Sequence, residues 1–385
     1  MRVGNAIYMD YQSTTPLDPE VRAAMLPYME DRFGNPHSSS HRFGWEAEAA
    51  VDVGRGRVAQ LLDVDPANLY FTAGATESNN IAIKGLALGR RGRMITLATE
   101  HSCVLESTRA SKQFGSEPLI LPVEQDGLIN LGQLEDALTE DTVAVSVMAV
   151  NNEIGVIQPI KQIAALTKSR GIWLHCDAAQ AYGKIHVTDL AKHADLISLS
   201  GHKIYGPKGI GALYVAPEAK RQMGVLMSGG GQEGMLRSGT LAPALCAGFG
   251  QAALLAEGQV EAEMARAQRH FDQLMAGFEA MGVPYQLNGH ADTRLKSNLN
   301  LSFEGHDSAR LMANLRRLAV SSGAACASAK EGPSYVLEAL GVPAALAEAS
   351  LRIGTGRFTD DAQVDDALGY LEDALTKSRR KSWSK

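Results

Sequence analysis

The sequence predicts an α/β protein: a large domain built on a mainly parallel sheet covered by helices, joined to a smaller α+β domain. Three observations predict it. Between residues 69 and 215, short apolar runs alternate with amphipathic stretches, the pattern of strands buried on both faces with helices crossing between them. The 385 residues exceed the usual size of one domain, so two are the default. A long alanine-rich stretch, 241–281, then leaves the alternating region as one helix and leads into a segment of different rhythm.

In order along the chain, Asp18-Pro19-Glu20 marks a helix start, with Asp18 as N-cap and Pro19 in the first helical position. Gly34-Asn35-Pro36-His37-Ser38 is a loop, and 41–62 reads as a helix weakened by Gly54 and Gly56. Strand-like Leu69-Tyr70-Phe71 is followed by strands at 94–97, 144–150, 172–176, 196–200 and 211–215, with helices at 130–138 and 160–169 among the connections. Beyond the long helix, 298–303 reads as a strand, and 308–318, 335–340 and 362–375 as helices. These elements assign 15–250 to the large domain and 251–385 to the small one.

Composition narrows the function classes. Hydrophobic content of 45% and charged content of 21% suit a soluble globular protein. The net charge of −6 comes without a sustained basic stripe, which argues against nucleic acid as a partner. No apolar run approaches membrane-spanning length, and the first residues lack an apolar targeting core. The four cysteines (Cys103, Cys176, Cys246 and Cys326) are scattered, with no pair at metal-ligand spacing, so no metal site is expected. So few thiols in so long a chain point to a reducing compartment, the cytoplasm.

The chemistry centres on Lys203, in Ser200-Gly201-His202-Lys203-Ile204-Tyr205-Gly206-Pro207-Lys208-Gly209. It lies just past a strand end, where open α/β sheets place their ligands. A partly desolvated lysine there, with Lys208 nearby, has an amine able to condense with an aldehyde. Asp177 ends a second buried run, and pyridoxal phosphate needs both a lysine for its aldehyde and an acid for its ring nitrogen. Gly74-Ala75-Thr76 opens a helix after a strand, and such a turn presents backbone N–H groups to a phosphate. The glycine-rich 229–240 is either a flexible linker or a loop that approaches a ligand, too polar to be core. Cys326 sits in a run of small residues, 320–329, that reads as a mobile loop presenting an accessible thiol. Cys176, on a buried strand, and Cys246, in a helix, read as core.

Together, the Lys203 loop, Asp177-Ala178-Ala179-Gln180, Gly74-Ala75-Thr76-Glu77-Ser78-Asn79, Asn151-Asn152-Glu153-Ile154-Gly155 and Arg237-Ser238-Gly239-Thr240 resemble the cysteine desulfurases of the bacterial iron–sulfur-cluster type. These are fold-type I pyridoxal-phosphate enzymes of the class-V aminotransferase family, and the resemblance runs from Tyr8 to Thr359. It implies that residues 1–14 join 251–385 in the small domain, that Lys203 carries the cofactor, that Asp177 faces the ring nitrogen and that His101 stacks on the ring and shuttles a proton. Ala75, Thr76, Ser200 and His202 would hold the phosphate, and Asn152 and Gln180 would flank the ring hydroxyl. Thr240 would reach the phosphate of a neighbouring subunit, which implies a homodimer. Arg352 would clamp the substrate carboxylate with its guanidinium fork, Arg357 being the structural one of the pair. Cys326 would take the sulfur of L-cysteine as a persulfide, leave alanine, and hand the sulfur to an acceptor protein such as an iron–sulfur scaffold.

The sequence departs from the family pattern at Gly234-Met235-Leu236, at Ala324, at Gly354-Thr355 beside Arg352, and in the basic tail 377–385. An aminotransferase or selenocysteine lyase on the same fold, or an idle sulfur-transfer scaffold, are the rival readings. The scaffold reading conflicts with the joint presence of Lys203, Asp177, His101, Cys326 and Arg352.

Overall fold

The structure, a computed structural model, describes residues 1–234, 236–322 and 332–379; Cys326 lies outside them. Two short strands, β1 (Arg2–Val3) and β2 (Ala6–Tyr8), precede helices α1 (Pro19–Met29) and α2 (Arg42–Leu62). Asp18 caps α1 by accepting the Glu20 amide, and His41 Nδ1 caps α2 by accepting that of Gly44.

Six of the strands that follow are buried almost throughout: β3 (Leu69–Thr72), β4 (Arg93–Leu97), β6 (Thr142–Met148), β7 (Trp173–Asp177), β8 (Leu196–Ser200) and β9 (Gly211–Val215). With the half-exposed β5 (Glu117–Leu121) at the edge, they form one sheet in the order β3-β9-β8-β7-β6-β4-β5. Neighbours run parallel from β8 to β5, while β9 is antiparallel to both β8 and β3. Between the strands lie α3 (Ala75–Gly89), α4 (Ser102–Ala110), α5 (Leu131–Ala137), α6 (Ile160–Lys168) and two single turns, α7 (Leu190–His193) and α8 (Pro217–Lys220). Apolar β-branched runs bury both sheet faces, as a helix-covered parallel sheet requires.

The long helix α9 (Pro243–Met281) joins two cores. Cys246, Phe249 and Ala252 near its start pack with the large sheet, whereas Phe271, Leu274 and Phe278 pack into a second cluster with Ile7 and Met9. We infer from the two cores a large and a small unit that divide inside α9. The small unit contains β10 (Gln286–Leu287), β11 (Asn298–Ser302), α10 (Ser308–Asn314), β12 (Leu318–Ala319), β13 (Ser321–Ser322), α11 (Tyr335–Ala339), α12 (Ala344–Glu348), β14 (Ser350–Gly354) and α13 (Asp361–Ser378).

Three details differ from the sequence reading. The helix expected over 308–318 stops at Asn314, because Leu318 pairs in parallel with Ile7 of β2 and so ties the N-terminus to the small unit. The strand expected over 144–150 runs over Thr142–Met148 instead. Asn151 Oδ1 accepts the amides of Glu153 and Ile154, and this side-chain turn ends the extended run. The polar run 229–240 is anchored rather than a slack linker. Glu233 is buried, takes a bidentate grip from Arg55 at 2.6 and 2.7 Å, and accepts the Phe71 amide at 2.7 Å.

The glycines in α2 have different roles. A Cβ at Gly54 would lie 2.5 Å from the Cys246 carbonyl oxygen, so Gly54 is what lets α2 and α9 approach, whereas a Cβ at Gly56 meets nothing within 4 Å. Gly54→Ala is expected to cost about 1–3 kcal/mol through overpacking, and Gly56→Ala to stabilise by up to about 1 kcal/mol through helix propensity. Thermal unfolding of the two variants checks this. Equal shifts of the same sign contradict it.

Candidate active site

The carboxyl ends of β6, β7 and β8 converge on one cavity of about 890 Å³, lined also by the N-terminus of α3 and by residues 12–14. This is where parallel α/β sheets leave room for ligands. The cavity brings together Ala75, Thr76, His101, Asn152, Asp177, Gln180, Ser200, His202, Lys203 and Arg352. Thr240 is exposed and is not on its wall. Cys326, the expected sulfur carrier, lies outside the described residues.

Lys203 ends a single 3₁₀ turn, 201–203, that opens the connection from β8 to β9. Its Nζ donates to the carbonyls of Gln12 at 2.5 Å and Ser13 at 2.7 Å. Thr15 locks the same loop, its hydroxyl donating to the His202 carbonyl at 3.0 Å and accepting the Tyr205 amide at 2.8 Å. Burial and the charges of Lys203, Lys208 and Lys184 push the His202 imidazole down to about 4.

Asp177 ends β7 and is buried. Its Oδ2 accepts from Asn79 Nδ2 at 2.7 Å and its Oδ1 from the Ala179 amide at 2.9 Å. Beneath it, His175 bridges neighbouring strands, Nδ1 to Ser146 Oγ at 2.7 Å and Nε2 to Ser198 Oγ at 2.9 Å. Burial holds His175 neutral, down to about 4. Glu100, fully buried, is held well above the usual carboxylate range by desolvation, with the Asp177 charge adding to the effect. Asp177 is thus fixed by neutral donors in a dry setting.

His101 is both a cap and a wall of the cavity. Its Nδ1 accepts the Cys103 amide at 3.2 Å and caps α4, which leaves the proton of the neutral ring on Nε2. Burial lowers its pKa, opposed by the Asp177 charge and reinforced by that of Lys203. Cys103 also lines the cavity, but burial and the Asp177 charge push its thiol up to about 12, so it stays protonated.

Helix α3 starts at Gly74, which has φ +151° and gives no side-chain cap. Its first amides, at Ala75 and Thr76, have no intrahelical acceptor and stand at the cavity wall. Gly74 is needed for that backbone angle, which side chains disfavour. Arg237 Nε donates to Glu77 Oε1 at 2.9 Å, which pins residues 229–240 to the same turn.

Arg352, on β14, is buried and also reaches the cavity. Its Nη2 pairs with Asp10 Oδ1 at 2.9 Å and donates to Ser13 Oγ and Ser321 Oγ, while Nη1 donates to the Asn152 carbonyl at 3.0 Å. A Cβ at Gly354 would meet Gln12 Oε1 at 1.7 Å, so the glycine that departs from the family pattern makes room for Gln12. Arg357 is held elsewhere, by Asp18 at 2.8 Å and Glu263 at 2.6 Å, with its guanidinium over the Tyr205 ring.

Sequence reasoning missed Gln12, Ser13, Thr14 and Cys103. The first two act on Lys203 through backbone carbonyls, which leave no side-chain signal.

The model of the aminotransferase class-V family matches residues 7–367. The chain belongs to the cysteine desulfurases of the class-V aminotransferase family. A cysteine desulfurase IscS of Rickettsia akari is 48% identical over 379 residues, covering 98% of this chain and 92% of that protein. Among solved structures, a NifS-like protein superposes with a TM-score of 0.87 at 31% identity, over 98% of this chain and 100% of its own. SspA, solved in complex with cysteine, gives 0.81 at 35% identity, over 92% and 99%. These superpositions over nearly the whole chain show that the fold described above is the fold of those two proteins.

The neutral His175 makes acid stability testable. The unfolded histidine binds a proton near pH 6.5, but the folded one only near about 4, so stability falls as pH drops through that window. His175→Gln is expected to flatten this fall by up to about 1.4 kcal/mol per pH unit. Denaturant unfolding at about pH 7 and about pH 5 measures it. An unchanged pH dependence contradicts the neutral assignment.

Proposed function

We propose that this chain is a pyridoxal-phosphate-dependent cysteine desulfurase that removes sulfur from L-cysteine, releases L-alanine and stores the sulfur as a persulfide on Cys326. The observation that carries the reading is a single cavity walled by an amine, a buried carboxylate, a neutral imidazole and a guanidinium. The residues present fit the cofactor. The uncapped amides of Ala75 and Thr76, with Ser200 and His202, suit a phosphate. Asp177 suits the ring nitrogen, His101 a ring face, Asn152 and Gln180 the ring hydroxyl, and Lys203 the aldehyde. When bound, pyridoxal phosphate supplies an aldehyde for the substrate amine and a ring that draws electrons from the α-carbon.

The chain's own residues do the rest. Arg352 orients the substrate carboxylate, and Lys203 moves the α-proton. The Cys326 thiolate attacks the cysteine sulfur, so an S–S bond forms as the C–S bond breaks and the electron pair returns to the carbon. Protons delivered within the site complete alanine, and the balance is L-cysteine plus enzyme thiol giving L-alanine plus enzyme persulfide.

Chain length permits that approach. Ser321 Oγ lies 3.0 Å from Arg352 Nη2 on one side of the segment carrying Cys326. On the other side, Ser334 Oγ donates to Glu153 Oε2 at 2.5 Å, beside Asn152. The four residues from Ser322 to Cys326 span at most about 14 Å. The cysteine-bound relative supports cysteine as the substrate.

The exposed Leu26, Met29, Phe33, Phe43 and Trp45 support a homodimer, in which Thr240 would complete the partner's phosphate site. Among the described residues no helix is long and apolar enough to cross a membrane. On this reading the enzyme works in the cytoplasm and passes sulfur to an acceptor protein for iron–sulfur cluster or related cofactor assembly.

The test is alanine formation by the cofactor-loaded protein, beside the mass of the Cys326 peptide. Cys326→Ala should retain cofactor absorbance while losing alanine release from cysteine by at least about a hundredfold. The wild-type peptide should gain one sulfur atom. Undiminished alanine release in Cys326→Ala would favour the lyase or aminotransferase reading.

A further inference from the structure

A second cavity, of about 280 Å³, uses the same N-terminal segment as a wall, with Tyr11 and Thr15 facing it while Gln12, Ser13 and Thr14 face the catalytic one. Its lining is mixed, with the rings of Tyr11 and Tyr205 and the side chains of Ile157 and Leu295 beside several cations. The charge there is not balanced. Lys184, Arg266, Arg294 and Lys296 face one carboxylate, Glu263, which already pairs with Arg357 at 2.6 Å.

Arg294 is the unusual member. It is 3% exposed, and its guanidinium donates to the carbonyls of Ile154, Asn288, His290 and Asn298 but to no carboxylate among the described residues. Its Nε has no hydrogen-bond partner there. Burying an unneutralised guanidinium with a donor left over is unfavourable unless something supplies the missing charge and acceptor. Burial alone accounts for the drop of its pKa to about 10. Lys184 is brought to about 7 by burial, with the Lys203 and Arg352 charges reinforcing it, and its Nζ donates to Gln180 Oε1 at 2.8 Å.

We propose that this cavity binds a small monocarboxylate with a short apolar chain, its carboxylate received by Lys184 and Arg294 and its chain lying against the apolar wall of Ile157, Leu295 and the tyrosine rings. A carboxylate supplies one negative charge and the acceptor that Arg294 Nε lacks, and the apolar wall excludes a fully hydrated anion. The site adjoins the catalytic one through a hydrogen-bonded chain. Lys184 binds Gln180, Gln180 Nε2 donates to the Gln12 carbonyl at 2.8 Å, and that carbonyl also accepts from Lys203. The inference rests on this geometry and stands whether or not the desulfurase reading holds.

Calorimetric titration of the purified full chain with sodium hexanoate tests it. Saturable one-to-one binding is expected, weakened at least about tenfold by Lys184→Gln and by Arg294→Gln, and kept in Arg352→Gln, whose residue faces the catalytic cavity. Should Arg294→Gln fail to fold, Lys184→Gln with an unaltered melting transition decides. Absence of saturable binding, its persistence in Lys184→Gln, its loss in Arg352→Gln, or equally tight binding of sodium phosphate would each overturn the proposal.

Discussion

The arrangement depends on the hydrogen bonds of residues 10–15, which tie the loop carrying Lys203 to the strand carrying Arg352. The two units also meet directly, where Asn298 and Asn300 donate to the Asn152 and Glu153 carbonyls. Asp10 and Ser13 hold Arg352, Gln12 accepts from Gln180, and Thr15 fixes the loop that carries Lys203. Arg352 comes from the small unit and Lys203 from the large one. The N-terminal segment is therefore what sets an amine and a guanidinium on one cavity.

Electrostatics then sorts the titratable groups by role. Desolvation keeps His101, His175 and His202 from charging and holds Glu100 and the Cys103 thiol protonated. Formal charge in the cavity is thereby left mainly to Asp177, Lys203 and Arg352. A buried carboxylate held by Asn79 and the Ala179 amide is an apt partner for a ring nitrogen that must stay protonated. A second thiol in the cavity, pushed out of the reactive range, does not compete for sulfur. The same low dielectric makes the charge at Arg294 conspicuous, because carbonyls and the Phe271 ring meet it but no carboxylate among the described residues does.

Much of this was legible in the sequence, for identifiable reasons. The strands β8 and β9 fell where short apolar runs met Gly-rich turns, and the Asp18-Pro19 start of α1 followed from capping chemistry. The grouping of Lys203, Asp177, His101, Ala75 and Arg352 came from the family resemblance, and the structure brings them to one cavity. What the sequence hid depends on tertiary pairing. The strand β12 exists only because β2 lies beside it, and Leu318 alone would have continued a helix. Glu233 is polar yet buried, because Arg55 meets it from a helix far away in sequence. Gln12 and Ser13 contribute carbonyls, which every residue has. Gly54 read as a helix weakness, though it is the point of closest approach between α2 and α9.

The claim on which the account turns is that the Lys203 amine holds the cofactor aldehyde. Sodium borohydride reduction of the pyridoxal-phosphate-loaded protein, followed by peptide mapping, tests it most directly. The account predicts a phosphopyridoxyl group on Lys203 and its loss, with the cofactor's absorbance, in Lys203→Ala. A label on Lys208 or Lys184, or a chain that takes up no cofactor, would contradict it.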